Sequence, residues 1–215
     1  MVSQIYPFSN LYSSSTFLVS KSDPIVLLCW VNNYRKLNNN TVRDQTSLPC
    51  IETILVDIEY SKIFSKIDMT NSFFQILVYL DNILLIVVNT LFSIYEWVVM
   101  PIGDTNVFVI YQRYMTIALL SLIGKICYVF MDNIIIWSCS IKEYKANIWQ
   151  VLQALQKTYL YCSSKKTDLF TMEIYFLEHV ISDKDIQADP SKINKILNWP
   201  TQRSLSEVQR FLGFV

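Results

Sequence analysis

Hydrophobic and polar positions along this chain follow two periods, and each change of period predicts an element. Residues 1–20 are rich in Ser, Asn and Tyr, show neither period, and predict an irregular lead-in. Residues 25–31 form a short apolar run of strand type, and residues 32–40 read as a polar loop carrying Arg35 and Lys36. After Pro49, Ile51, Ile54, Leu55 and Ile58 recur at helical spacing, with Glu52 favourable in the first turn. Residues 63–67 predict a strand that ends at Asp68. Residues 73–78 are amphipathic with an ambiguous period. Residues 83–88 and 94–99 are β-branched and aromatic, and both read as strands.

Residues 108–122 suit a helix, and two apolar strands, 126–131 and 134–137, flank Asp132-Asn133. Residues 142–157 predict a helix with Ile148, Val151, Leu152 and Leu155 on one face. A strand over 174–181 is followed by a polar turn. Pro190 starts a short helix, and Ser204 with Glu207 three residues on forms a capping box for the last one. Strands, hairpins and helices in this mixture predict an α+β fold rather than a doubly wound parallel sheet.

Composition narrows the function classes. Apolar residues make up 52% of the 215, so a substantial core can be buried. Lys+Arg and Asp+Glu are 18 each, whereas polynucleotide binders usually carry a basic excess. Between Ile67 and Gly124 the only basic residue is Arg113, so that stretch can supply few phosphate contacts. Five widely spaced cysteines without a CxxC pair predict reduced thiols of an intracellular protein, cytoplasmic or nuclear and not secreted. His179 is the only histidine and stands alone, which argues against a histidine-based metal site or triad. No basic segment precedes an apolar run at the start, so no signal peptide is expected. The longest apolar stretch, 83–95, has 13 residues and contains Asn89, short of the ~20 a membrane span requires.

Candidate chemistry rests on two acids that each terminate an apolar strand, Asp68 and Asp132. Carboxylates at neighbouring strand ends can bind Mg²⁺, which keeps other positions for water and phosphates. Asp132-Asn133 between apolar strands is equally good hairpin-turn chemistry.

The surrounding segments carry a resemblance. Phe130-Met131-Asp132-Asn133 resembles the Tyr/Phe-x-Asp-Asp box of reverse transcriptases. The segment from Ile67-Asp68-Met69-Thr70 to Phe73-Phe74-Gln75-Ile76 resembles their first catalytic segment, Leu-Asp-Leu-Arg-Ser-Gly-Tyr-His-Gln-Ile. Val99-Met100-Pro101-Ile102-Gly103-Asp104-Thr105-Asn106 with Gln112-Arg113 is similar to the Met-Pro-Phe-Gly-Leu-Thr-Asn segment and its following helix. Tyr34-Arg35-Lys36-Leu37-Asn38 and Leu48-Pro49 match a fingers signature. Phe176 to Ser182 and Ile196 to Phe214 match the exit from the palm. These ordered motifs span residues 17–215 and resemble a gypsy-type long-terminal-repeat retrotransposon Pol polyprotein.

The resemblance implies a right-hand polymerase fold with fingers and palm, the palm a mainly antiparallel sheet backed by helices. Residues 21–60 with 76–100 would be fingers-like, and 61–75 with 101–172 the palm. Residues 173–215 would be the primer-grip hairpin and the start of a truncated thumb or connection, with connection and ribonuclease H regions beyond Val215. It implies RNA-directed DNA polymerisation on two Mg²⁺ or Mn²⁺ ions held by Asp68, Asp132 and the Met69 carbonyl. Template, primer and dNTP are the implied partners. Lys21, Phe73 and Gly103 would contact the nucleotide, and Phe176, Leu177, Glu178 and His179 would form the primer grip.

Departures from the family pattern share a direction. Asn133 replaces the last carboxylate of the box, so one full negative charge is missing. Cys29 lies near a family arginine that holds the triphosphate, and a thiol cannot replace that bidentate donor. Glu178, Ser72 and Tyr159 replace glycines, and Val107-Phe108 replaces the usual Ala-Pro. Residues 76–99 have lost most family charges. The expectation is a degenerate copy with weak or absent polymerisation; the alternative is a non-catalytic palm-like relic that binds nucleic acid or protein.

Overall fold

The computed structural model describes residues 5–7, 13–20 and 28–214. The chain opens with β1 (Ile5–Pro7), β2 (Ser14–Ser20) and β3 (Leu28–Asn32), then helices α1 (Arg35–Asn40) and α2 (Ile51–Ile58). There follow β4 (Ile63–Asp68), a 3-10 turn (Ser72–Gln75), α3 (Leu80–Ile83), β5 (Val88–Asn89) and β6 (Ile94–Trp97). Next come α4 (Val107–Ala118), β7 (Cys127–Phe130), β8 (Asn133–Ser138), α5 (Ile141–Lys157) and β9 (Asp168–Thr171). The final part is β10 (Glu173–Phe176), β11 (His179–Ser182), β12 (Ile186–Ala188), α6 (Pro190–Leu197) and α7 (Leu205–Leu212).

A four-stranded antiparallel sheet, ordered β7-β8-β4-β9, is the centre of the molecule. The unbroken apolar run of β8 follows from burial on both faces. Successive side chains point to opposite faces, so Ile134 and Ile136 enter one core and Ile135 and Trp137 another. The first core is closed by Val107, Tyr111, Met115 and Leu119 of α4 and its end, and by Val151 and Leu155 of α5. The second is closed by Ile54 and Ile58 of α2 and by Ile174, Phe176 and Ile181 of the β10–β11 hairpin. Each fully buried side chain of this size contributes roughly 1.5–3 kcal/mol.

A five-stranded sheet, β1-β6-β5-β2-β3, packs Val88 and Trp97 with Tyr34, Ile86 and Val99 in a third core. The 3-10 turn joins the two halves. Phe74 stacks on Trp97 with centroids 5.4 Å apart, while Phe73 meets Phe108 and Tyr111 edge-on at 5.1 and 5.3 Å. A small antiparallel sheet, β10-β11-β12, lies next to β4 through β10.

Several expectations are corrected. The lead-in is not irregular throughout: 14–20 is a strand, paired with β3 and, in parallel, with β5. Phe17, Leu18 and Val19 are all exposed, so the alternation that betrays a half-buried strand is missing. The loop expected at 32–40 contains α1, anchored by buried Tyr34, whose hydroxyl donates to the Ile86 carbonyl at 2.7 Å. The strand expected over 83–88 is mostly the end of α3 and a turn; Ile83 and Ile86 bury their β-branched side chains without strand pairing, which begins only where Val87 O accepts from Ser14 N at 2.9 Å. The single strand expected over 174–181 is a hairpin. Leu177 (φ 49°) and Glu178 (φ 64°) turn it with no Gly or Asn to signal the turn. Among the described residues no helix is long and apolar enough to cross a membrane.

Candidate functional site

Three segments meet at one end of the central sheet: the end of β4, the β7–β8 turn and residues 161–163. Asp68 and Asn133 form the last pair of the β4–β8 ladder. The Met69 N–H continues it by donating to the Asp132 carbonyl at 3.0 Å. This makes Asp68–Asn133 a non-hydrogen-bonded pair, the type whose side chains approach most closely. Across the other edge Met69 bridges to Cys162, with Thr70 N–H donating to Tyr161 O at 3.0 Å and Ser163 N–H to Asp68 O at 2.8 Å. Met69's neighbours make those bonds. Its own N–H and, in extended backbone, its carbonyl therefore face the Asp132 side.

The β7–β8 turn is built around Met131, a non-glycine residue at φ 54°. Buried Gln112 of α4 holds it from below. Its Nε2 donates to Val129 O at 2.9 Å and its Oε1 accepts from Met131 N at 2.8 Å. The strained turn thus has both neighbouring backbone groups satisfied by one amide, which aims Asp132 out of the sheet.

Electrostatics at the strand end are unfavourable for a bare anion. Burial, followed by the charge of Asp132, pushes the Asp68 carboxyl up; Lys166 and Lys66 only partly offset this. No described side chain donates to the Asp68 carboxylate. Asn133 Nδ2 donates to Asp132 Oδ1 at 3.3 Å, so its amide supplies a proton to the neighbouring acid. Buried Tyr111 has a hydroxyl with no partner among the described residues, and its ionisation is opposed by burial and by Asp132 and Asp68. Two close carboxylates and a backbone carbonyl fit a hard divalent cation, which prefers oxygen and keeps waters of its own. Among the described residues no group of three His, Cys, Asp or Glu side chains could hold a metal, so the donor set is lean.

The structure brings together Asp68, Met69, Asp132 and Asn133. Phe73 is half-buried two turns of chain away, with its ring against Tyr111. Gly103 precedes α4, at φ 122°, where a Cβ would collide with the Asn32 carbonyl oxygen. The close approach that requires glycine is therefore to β3, and Asn38 Nδ2 donates to the Gly103 carbonyl at 2.9 Å. Phe176 is buried in the second core, and the His179 ring bonds Leu177 O at 2.7 Å. Glu178, which replaces a family glycine, is ion-paired with Lys192 at 2.8 Å. Lys21 and the Cys29 side chain lie outside the described residues. Arg113 is bound by Asp44 and Thr46 and is not directed at the site.

Sequence reasoning matched Gln75 to the family segment but gave it no role. Its Oε1 accepts from Tyr161 N at 2.7 Å, and its Nε2 donates to Tyr161 O at 2.9 Å and also to Thr70 O. A lone amide after two phenylalanines carries no signal of that contact, because its partner is 86 residues away.

The model of the reverse transcriptase (RNA-dependent DNA polymerase) family matches residues 24–214. The chain is 32% identical over 212 residues to the retrovirus-related Pol polyprotein from transposon opus of Drosophila melanogaster, covering 97% of this chain and 21% of that protein. It is 31% identical over 220 residues to the corresponding polyprotein from transposon gypsy of the same species, with the same coverage of 97% and 21%. Against polyprotein P3 of Commelina yellow mottle virus it is 30% identical, covering 93% of this chain and 11% of that one. The chain thus spans about a fifth of the Drosophila relatives. Among solved structures, the foamy viral protease-reverse transcriptase dRH in complex with double-stranded DNA superposes with a TM-score of 0.89 at 21% identity, covering 98% of this chain and 37% of that one. The foamy viral protease-reverse transcriptase in complex with RNA/DNA hybrid gives 0.83 at 21% identity, covering 98% and 28%. The α+β fingers-and-palm fold expected from the sequence is the fold observed.

Proposed function

The chain belongs to the reverse transcriptase (RNA-dependent DNA polymerase) family, and we propose that it performs template-directed nucleotidyl transfer weakly or not at all as its sequence stands. The observation that carries this reading is the end of the β4–β8 ladder, where Asp68 faces an amide, Asn133, beside Asp132. In the proposed reaction a primer 3′-hydroxyl attacks the α-phosphate of an incoming dNTP and pyrophosphate leaves. Asp68, Asp132 and the Met69 carbonyl would hold the divalent ions. Mg²⁺ or Mn²⁺ bound there would neutralise the charge developing on the phosphate oxygens.

The remaining roles belong to the chain. Gln112 sets the turn that aims Asp132, and Phe73, on the 3-10 turn after β4, lies under the sugar. The five-stranded sheet with α1 acts as fingers, and the β10–β11 hairpin lies against the primer. Support for nucleic acid as the partner comes from the neighbours solved with double-stranded DNA and RNA/DNA hybrid. Weakness follows from Asn133: its amide carries no charge, so one full negative charge is missing beside the divalent ions, and its Nδ2 donates to Asp132 Oδ1 at 3.3 Å.

Primer extension on an RNA template with Mg²⁺ or Mn²⁺ tests the reading. Little or no product is expected from the unmodified chain, and a gain of at least tenfold from Asn133→Asp. Robust synthesis by the unmodified chain would refute the claim of weakness. Product that survives Asp132→Ala would refute the site.

A further inference from the structure

We propose that Gln75 is a positioning residue: it locks the metal-side strand end, Asp68 to Thr70, and the turn carrying Phe73 to one anchor, the backbone of Tyr161. The proposal rests on the reading of the site given above.

Three contacts carry it. Gln75 reads Tyr161 as a strand partner would, accepting from its N–H at 2.7 Å and donating to its carbonyl at 2.9 Å. The same Nε2 donates to Thr70 O. Tyr161 O also accepts from Thr70 N at 3.0 Å, and two residues on Ser163 N donates to Asp68 O at 2.8 Å. Residues 161–163 therefore form a short splint along the outer edge of the site, and the ladder there is only one bridge long, Met69 with Cys162. A single bridge flanked by exposed Tyr161 and Cys162 opens readily unless something else ties it.

Gln75 is that tie, and its position gives it a second effect. It is the last residue of the 3-10 turn, whose internal bonds are Phe74 N to Asn71 O at 2.9 Å and Ile76 N to Phe73 O at 3.2 Å. Asn71, ahead of the turn, sits at φ 46°. Holding the far end of the turn fixes where the Phe73 ring can lie. One side chain thus sets the distance between the carboxylate end of β4 and the aromatic that follows it. A glutamate of the same shape cannot do this, because both carbonyls, Tyr161 O and Thr70 O, require a donor.

The test compares Gln75→Ala and Gln75→Glu with the unmodified chain and with Val151→Ala, a core control in α5 that makes no contact with Tyr161 or Thr70 through a side-chain hydrogen bond. Two quantities are read well below the melting temperature: amide exchange at Thr70 and Ser163, and the dissociation constant for Mn²⁺. Both Gln75 variants are expected to speed exchange at those two amides tenfold or more and to weaken Mn²⁺ about tenfold, as loss of supporting contacts around a metal does. Val151→Ala should leave the Mn²⁺ constant unchanged. Unchanged exchange in both variants overturns the clamp. Faster exchange with an unchanged Mn²⁺ constant overturns the positioning role and leaves Gln75 merely structural. An unmodified chain that binds no Mn²⁺ removes the reading of the site, and the positioning role with it, while exchange still reports whether the clamp exists.

Discussion

Asp68 and Asn133 face one another as the terminal, non-hydrogen-bonded pair of the β4–β8 ladder. An acid opposite an amide is a tolerable cross-strand pair without a cation; two acids in that place are not.

Asn133→Asp therefore has opposite effects with and without metal. Like charges directly opposite on a sheet destabilise, here by about 1 kcal/mol. The metal-free variant should unfold at lower urea than the unmodified chain, and Mn²⁺ should reverse that order. A variant equally stable in both conditions would show that position 133 does not face the site's charge.

Gln112→Ala leaves Val129 O and Met131 N unpaired in a buried place. Each unsatisfied group costs about 1–3 kcal/mol, so a loss of about 3 kcal/mol is expected. Urea denaturation measures it. A loss below about 1 kcal/mol would mean that water replaces the amide and the turn needs no support from α4.

Tyr159 follows α5 at φ 56°, where helices commonly end on glycine, and its side chain is exposed. Tyr159→Gly should stabilise by about 1 kcal/mol by removing the left-handed penalty. Glu178→Gly, at φ 64°, should gain less, because it also loses the ion pair with Lys192. Thermal melting of the two variants checks both the sign and the order.

Cys127 is fully buried, and burial pushes its thiol from 9.0 up to about 12. A folded value above the unfolded one contributes stability that is complete below about pH 9 and is lost as pH rises towards 12. Stability should fall over that window, and Cys127→Ala should flatten the fall. At neutral pH a thiol reagent should label exposed Cys50, Cys139 and Cys162 and spare Cys127 until the chain unfolds.

Gly103→Ala should lower stability by at least about 2 kcal/mol, because the added Cβ collides with the Asn32 carbonyl oxygen. A neutral substitution, measured by urea midpoint, would show that the loop can move away from β3.

Much of this molecule was legible in its sequence. The helix 51–58, the strand into Asp68, the hairpin around Asp132-Asn133, the long helix after it and the two terminal helices all follow from period and capping. The first four do so because each buries a face or a stripe against a core, whereas the two terminal helices bury no residue and are marked by Pro190 and by the Ser204–Glu207 cap. Elements with neither a buried face nor such a mark went unread. β2 is exposed along Phe17, Leu18 and Val19 and exists through backbone pairing alone, while α1 hangs on one buried residue, Tyr34. The turn at Leu177-Glu178 gave no local signal, because its residues are not those that favour positive φ; only the family resemblance implied a hairpin there.

The same division runs through the site. Asp68, Asp132 and Asn133 were singled out in the sequence by the apolar strands beside them and, as candidates for a metal site, by the family motifs around them. The register that sets Asp68 opposite Asn133, the Gln112 amide beneath Met131 and the Gln75 clamp on Tyr161 were decided by tertiary structure alone. Those contacts join residues 17 to 86 positions apart, and no local period encodes which distant backbone an amide will meet.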